Sequence, residues 1–304
     1  MKIMKNETVL STGIDIGTTT THLIVSRLGI SETDGFGVIP SVKITSKEII
    51  YKSPVYFTPL LENGDIDLNG VAQLINKEYE NAGISPSDLK CGAVIITGES
   101  ARKGNSTKVL ESISENSGNF VAAEAGSELE SYLSGKGVGA DKLSEETGKA
   151  VANIDIGGGT TNISVFKNGQ CIDTCCLNIG GRTIKQCENE ELYISDAVKT
   201  LMGERKIEIT DLNESKEEII YLCDILAEYI FDSVKAENKF FPKYLVTDHL
   251  LTTSDLPETI AFSGGVAECM KKDLPSFAFG DIGVLLGKAV LVKAEKYGLN
   301  IEKK

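Results

Sequence analysis

The 304-residue chain has no tryptophan and two histidines, His22 and His249. That scarcity nearly removes histidine acid–base chemistry and histidine-rich metal sites. His22 lies on an apolar strand pattern and reads as a core residue. The seven cysteines, Cys91, Cys171, Cys175, Cys176, Cys187, Cys223 and Cys269, are odd in number and include no C-x-x-C pair. Several fall in apolar strand or helix patterns, so they read as buried reduced thiols rather than a metal or cluster site. Positive charge is in deficit: 31 Lys and Arg against 44 Asp and Glu leave a formal charge of −13. This argues against a general nucleic-acid or anionic-membrane surface. No run reaches the ~18 apolar residues a membrane span needs. Met1-Lys2-Ile3-Met4-Lys5-Asn6-Glu7 lacks a secretory apolar region, so the chain reads as cytosolic. Also absent are G-x-x-x-x-G-K-[ST], G-x-G-x-x-G after a strand, and G-x-S-x-G. Their absence disfavours a P-loop protein, a dinucleotide fold and a serine hydrolase elbow. Any phosphate site in so acidic a chain must use local backbone donors.

Two glycine-rich turns of one design supply such donors. The first is Gly13-Ile14-Asp15-Ile16-Gly17-Thr18-Thr19-Thr20 and the second Asn153-Ile154-Asp155-Ile156-Gly157-Gly158-Gly159-Thr160-Thr161-Asn162. Each is an apolar strand ending in an aspartate, a tight Gly/Thr turn, and a second apolar strand, Thr21–Val25 or Ile163–Phe166. Glycines let backbone N–H groups approach an anion, and threonine hydroxyls add donors. An aspartate facing the same anion needs a cation between, most simply hydrated Mg²⁺. One copy alone is as well explained by an ordinary hairpin turn. Two copies predict two similar half-domains that clamp one nucleoside triphosphate, and 304 residues are enough for two cores.

Between and beyond the turns, strand and helix signals alternate. Gly37–Pro40, Val42–Thr45 and Glu48–Tyr51 read as extended. Leu68, Val71, Ala72, Ile75, Tyr79 and Ala82 follow helical spacing, with Gly83 as a stop. Cys91–Thr97 is a continuous apolar run suited to a buried parallel strand. Ser106–Asn116 reads as a helix, Phe120–Ala122 as a strand and Glu124–Leu133 as a helix. Gly135–Gly148 reads as a loop with a short helix. Asn168-Gly169 marks a hairpin between the second and third strands of the second half. Ser215-x-x-Glu218 reads as a capping box opening a long helix. Ile260–Phe262 is a buried strand running into Ser263-Gly264-Gly265-Val266, where glycines would let a flat ring or a phosphate approach. By itself that element is a simple strand–helix turn. Asp281–Tyr297 is the last helix.

Taken in order, these elements resemble the actin, sugar-kinase and heat-shock-chaperone ATPase superfamily. Gly13–Val25 resembles its first phosphate loop, Asn153–Phe166 its second, and Ile260–Glu268 its adenosine loop. Phe120–Gly135 and Gly280–Val290 resemble its two connecting helices. The strings Ile96-Thr97-Gly98-Glu99-Ser100-Ala101-Arg102-Lys103, Glu124-Ala125-Gly126-Ser127-Glu128-Leu129-Glu130 and Phe262-Ser263-Gly264-Gly265-Val266-Ala267-Glu268 are similar to those of EutA, the reactivating-factor family of ethanolamine ammonia-lyase.

The resemblance implies an α/β fold of two related actin-like ATPase domains, with ribonuclease H-like mixed sheets and a nucleotide cleft between them. Domain I would span 1–150 and domain II 151–279, with 280–304 a C-terminal helix packing back on domain I. It implies ATP hydrolysis with Mg²⁺. Asp15 and Asp155 would hold the metal. Gly17, Thr18 and Thr19 would cradle phosphate from one side, and Gly157, Gly158, Gly159 and Thr160 from the other. Gly264 and Gly265 would approach the adenosine or α-phosphate. Glu124 matches the superfamily's water-positioning residue, and a carboxylate favouring a helix N-terminus explains it too. Arg102 and Lys103 would meet the γ-phosphate or be a solvated pair. The implied activity is release of damaged cobalamin from ethanolamine ammonia-lyase, driven by ATP and yielding ADP, in the cytoplasm and associated with the ethanolamine-utilization microcompartment. The family's chains run well beyond the second connecting helix, which implies a missing C-terminal region here. A small-molecule kinase, an actin-like filament protein and an ATP-sensing module are the alternatives.

Overall fold

The computed structural model describes residues 3–17, 20–34, 41–61, 65–97, 119–124, 126–187, 191–235, 241–270, 272–297 and 300–301. The chain divides into two compact units, Met1–Gly126 and Ser127–Lys304.

In the first unit, β1 (Ile3–Ile16) pairs antiparallel with β2 (Thr20–Asp34), and β2 with β3 (Ser41–Lys52). A short β4 (Tyr56–Phe57) pairs with the start of β2. On its other side β1 runs parallel to β5 (Leu89–Ile96), and β5 parallel to β6 (Asn119–Glu124). Alternation along β1 puts Ile14 and Ile16 into a core with Leu23, Val25, Val94 and Ile96. Helix α1 (Leu68–Ala82) closes that core with Val71, Ile75 and Tyr79. Asp67 caps α1 through the Asn69 amide, and Gly83 ends it with φ 67°. Beside α1, the buried Glu78 carboxyl accepts from the Tyr51 and Tyr56 hydroxyls at 2.7 Å each and from Asn81 Nδ2 at 2.8 Å. Burial alone would push this carboxyl up, yet the three donors outweigh it and hold it below the ordinary glutamate value.

The second unit repeats the plan. β7 (Val151–Ile156), β8 (Thr161–Lys167) and β9 (Gln170–Leu177) form an antiparallel meander turning at Asn168-Gly169. β12 (Thr259–Ser263) runs parallel to β7, and β13 (Asn300–Ile301) parallel to β12. The orders β3-β2-β1-β5-β6 and β9-β8-β7-β12-β13 therefore coincide strand for strand. A separate ribbon pairs β10 (Ile184–Gln186) with β11 (Leu192–Ile194). One sheet face supplies Ile154, Ile156, Ile163, Val165 and Leu177 to a core shared with helices α5 (Lys216–Val234) and α7 (Gly283–Lys296). By the two-residue period of the pleat, Asn153, Asp155, Asn162 and Ser164 stand on the other face. Helices α2 (Ser127–Val138) and α3 (Ala140–Thr147) cover that face, where Ala140, Val151, Phe166 and Tyr132 cluster. The remaining helices are α4 (Asp196–Arg205) and α6 (Gly264–Met270). Among the described residues no helix is long and apolar enough to cross a membrane.

Several readings need correction. The segment 135–148, read as a loop with a short helix, is mostly helical: α2 runs to Val138 and α3 spans Ala140–Thr147, with Gly139 turning between them at φ 79°. Gly135 is there for close packing, because a Cβ would run into the Phe166 ring and come within 2.5 Å of Ser164 Oγ. Ser215 makes no cap bond, and its hydroxyl instead accepts from the Thr210 amide at 3.1 Å. Ser127–Lys149 groups with the second unit rather than with residues 1–126. Helix α7 joins the second unit's own core through Leu286, Val290 and Ala294. There Lys293 pairs with Glu228 and the Tyr297 hydroxyl donates to Glu228 at 2.6 Å. The cysteines are free thiols, and burial pushes Cys175 up to about 12. The extended segment 37–40 and the helix 106–116 lie outside the described residues.

Candidate functional site

In the first unit the turn is built around Gly17. Its amide donates to Thr20 O at 2.8 Å, and its carbonyl accepts from Thr58 Oγ1 at 2.8 Å. Asp15 stands at the penultimate position of β1, turned away from the Ile14 and Ile16 core. Thr97 follows β5, and its Oγ1 donates to Asp15 Oδ1 at 3.2 Å. Opposite Asp15 in the β1–β2 register is His22, with Nδ1 4.0 Å from Asp15 Oδ2. His22 is thus half-exposed beside the aspartate and not a core residue. Desolvation raises the Asp15 carboxyl above its ordinary value, with His22 and Thr97 opposing the rise. A carboxylate so placed gains from a cation. Thr18 and Thr19 lie outside the described residues, as do Arg102 and Lys103. Glu124 ends β6 in register with Ile96.

In the second unit Asp155 holds the same place on β7 that Asp15 holds on β1. Gly157 N closes the turn on Thr160 O at 2.9 Å. The carbonyls of Gly157 and Gly158 accept from the amides of Gly181 and Arg182 at 2.9 and 2.7 Å. Gly180 abuts the Gly158 carbonyl so closely that a side chain there would collide with it. Trans peptides set N–H opposite C=O, so the amides of Gly158 and Gly159 point away from residues 180–182. A Cβ at Gly159 would meet nothing within 4 Å. Successive backbone donors turned the same way are what a phosphate needs.

Opposite Asp155 in the β7–β8 register is Asn162, as His22 is opposite Asp15. Asn162 is 2% exposed, and its Oδ1 has no hydrogen-bond partner among the described residues. A buried orphan acceptor beside a carboxylate suits a cation or its water. Asp155 Oδ2 accepts from Ser263 Oγ at 2.8 Å. Gly264 has φ 85°, and a Cβ there would lie 2.5 Å from Asp155 Oδ1. Gly264 therefore abuts the aspartate. Gly265, at the start of α6, faces open space. The one described trio with cation-ligand geometry pairs exposed Glu128 and Asp248 with half-buried His249 and shares no residue with either turn. Each turn offers a single aspartate, and a Mg²⁺ beside phosphates ordinarily keeps several of its waters.

The turns and their aspartates were visible as local strings. His22, Thr97, Asn162 and Ser263 were not assigned to the site. Each reaches its aspartate through strand register, and the one available signal was that His22 and Asn162 fall at equivalent steps of the repeat.

A family model described as "Ethanolamine utilisation protein EutA" matches residues 7–303. Two curated relatives, from Escherichia coli K12 and Salmonella typhimurium LT2, are both named ethanolamine ammonia-lyase reactivase EutA. They are 37% and 36% identical to this chain over 290 residues. The alignments cover 94% of this chain, which spans 62% of each relative's length. Among solved structures, the type II variant of the Aquifex aeolicus Ppx/GppA phosphatase superposes with a TM-score of 0.52. It is 13% identical, with 97% of this chain and 95% of that one covered. At that identity the likeness is one of fold.

Proposed function

The chain belongs to the EutA family of ethanolamine utilisation proteins, and on that premise we propose that it is an ATP-driven reactivating factor for ethanolamine ammonia-lyase. Its work would be to release damaged cobalamin from that enzyme in the cytoplasm, at the ethanolamine-utilization microcompartment. The observation that carries the nucleotide half of this reading is the repeated topology with an aspartate at the same step of each copy. The client enzyme comes from the reactivases the chain resembles.

The division of labour follows from the two turns. The amides of Gly158 and Gly159 bind phosphate oxygens, and Gly157 and Thr160 hold the turn closed. Gly17 does the corresponding work in the first unit, together with Thr18 and Thr19. Asp15 in the first unit and Asp155 in the second are the residues that would hold Mg²⁺ through its waters. Mg²⁺ when bound supplies neutralisation of the charge on the β- and γ-phosphates. Glu124 orients the attacking water. Gly265 leaves room for the adenosine end. The Gly158 carbonyl holds the Arg182 amide, and Arg182 Nε pairs with Asp281 Oδ2 at 3.3 Å just before α7. A change at the glycine turn would reach α7 through these contacts, a route by which nucleotide state biases an element leading elsewhere.

The test follows phosphate release from Mg-ATP with and without ethanolamine ammonia-lyase blocked by cyanocobalamin, and the return of deamination when adenosylcobalamin is added. Candidate sugars are included to expose a kinase. Turnover is expected to need Mg²⁺ and to vanish in Asp155→Ala with the fold kept, as judged by circular dichroism. Full turnover in a folded Asp155→Ala would remove that residue from the site. Sugar phosphorylation without any effect of the blocked enzyme would replace the reading with a kinase.

A further inference from the structure

Asp15 and Asp155 each receive a hydroxyl from the same neighbour in the repeated topology, the end of the parallel strand beside them. In the first unit the donor is Thr97, one residue past β5, at 3.2 Å from Asp15 Oδ1. In the second it is Ser263, the last residue of β12, at 2.8 Å from Asp155 Oδ2. We infer that Thr97 and Ser263 are positioning residues, each holding the aspartate of its own unit in the orientation required to accept the waters of a bound metal. This rests on the nucleotide reading above.

The geometry around Ser263 makes it a directed clamp. A serine hydroxyl has one proton. Its acceptors here are Asp155 Oδ2 at 2.8 Å and Asn153 Oδ1 at 3.3 Å. The carboxylate is nearer and charged, so it takes the proton. Asn153 Nδ2 then donates to Ser263 Oγ at 2.9 Å, which turns the hydroxyl toward the aspartate. Asn153 is fully buried and also donates to Ser134 Oγ on α2 at 3.2 Å. The relay Asn153 to Ser263 to Asp155 is therefore anchored in the sheet and in the helix above it. From the other side, the Gly264 backbone abuts Asp155 Oδ1. Ser263 thus holds Oδ2, while the missing side chain of Gly264 leaves room for Oδ1, both from one strand–helix turn.

The first unit reaches the same end with other parts. The Thr97 amide donates to Ile16 O at 3.0 Å, which extends the β1–β5 register one residue past the strand. That bond carries the Thr97 hydroxyl to Asp15. Serine in one copy and threonine in the other share only the hydroxyl, so the hydroxyl is what the position supplies. A hydrogen bond donated to a carboxylate favours its charged form, the form that accepts a metal's waters.

The experiment uses the full chain and four variants: Ser263→Ala, Ser263→Thr, Thr97→Val and Thr97→Ser. Mn²⁺ affinity in the ADP complex is read by electron paramagnetic resonance, beside the Mg²⁺ and pH dependence of ATP turnover. Ser263→Ala and Thr97→Val are expected to weaken Mn²⁺ binding by roughly tenfold or more. The half-saturating Mg²⁺ should rise in parallel, with KM for ATP moved less, and the acid limb of the pH profile should shift upward. Ser263→Thr and Thr97→Ser should restore all three. Thr97→Val keeps the side-chain shape, so it tests the idea even if Ser263→Ala melts early. A folded Ser263→Ala or Thr97→Val with wild-type Mn²⁺ affinity and an unmoved acid limb overturns the assignment for that residue. A wild-type chain that binds neither nucleotide nor Mn²⁺ overturns the functional reading, an outcome distinct from variants that match an active wild type.

Discussion

Gly264 and Gly265 are neighbours in sequence, yet an added side chain would meet opposite surroundings at each. At Gly264 a methyl would sit in left-handed backbone and within 2.5 Å of both Asp155 Oδ1 and Ile156 O. Gly264→Ala should therefore lower stability by about 1–3 kcal/mol and misplace the aspartate. At Gly265 an added Cβ would meet nothing within 4 Å, so Gly265→Val starts into open space. It should leave the thermal midpoint nearly unchanged and weaken ATP affinity, and calorimetry on both variants separates the two effects. Asp15 invites a second test. Desolvation raises its carboxyl, so the folded state holds the proton more tightly than the unfolded one. The sign follows: ionised Asp15 opposes folding at neutral pH, and its contribution improves as pH falls through the raised value. Asp15→Asn should melt no lower than wild type, and higher at pH 7, while losing metal-dependent turnover. A lower midpoint would show that the charge is compensated in the fold. At this scale, what sequence revealed was contiguous. Asp15, Gly17, Asp155 and Gly157–Gly159 form two short strings whose chemistry is local. Ser263 sits 108 residues from Asp155, and its role exists only once β12 lies beside β7.

Among elements, α2 shows how a residue's ordinary meaning is overridden by packing. Glycines at 135, 137 and 139 suggest a loop. Yet Gly135 is a helical residue whose missing side chain admits Phe166 and Ser164 from β8. Gly135→Ala should raise helix propensity and still destabilise the protein by about 1–3 kcal/mol through overpacking. Urea unfolding reads the sign directly, and a stabilised variant would mean that α2 lifts from the sheet without loss. Strands were easier to read because their apolar runs are short and bounded by turns such as Asn168-Gly169. Helix α1 announced itself by spacing and by Gly83. The Ser215 motif misled for the opposite reason. Its hydroxyl had a nearer use, accepting the Thr210 amide, and nothing in the four-residue pattern reveals that competitor.

Across the whole molecule, the division after Gly126 matters more than the repeat boundary near residue 150. The second unit carries its own core, including α7, and α2 and α3 cover the sheet face that holds Val151 and Phe166. A fragment of residues 127–304 should therefore unfold in one cooperative transition. A fragment of residues 151–304 should expose Phe166, bind a hydrophobic dye and melt without cooperativity. Equal, sharp melts for both would show that α2 and α3 are dispensable covers. The duplication itself was legible, since two like strings at a large separation imply two like sheets. The partition was not, because a chain passing between similar units leaves no mark of which one its connecting helix will cover. The scarcity of histidine has a practical side. His22 lies across from Asp15 in the first unit, and His249 lies beside Asp248 in the second, with Nδ1 3.4 Å from the carboxylate. In a proton NMR spectrum the imidazole region of this chain therefore holds one reporter for each half. The His22 resonance would register events at the first glycine turn and the His249 resonance events in the second unit, with no isotope label or engineered probe required.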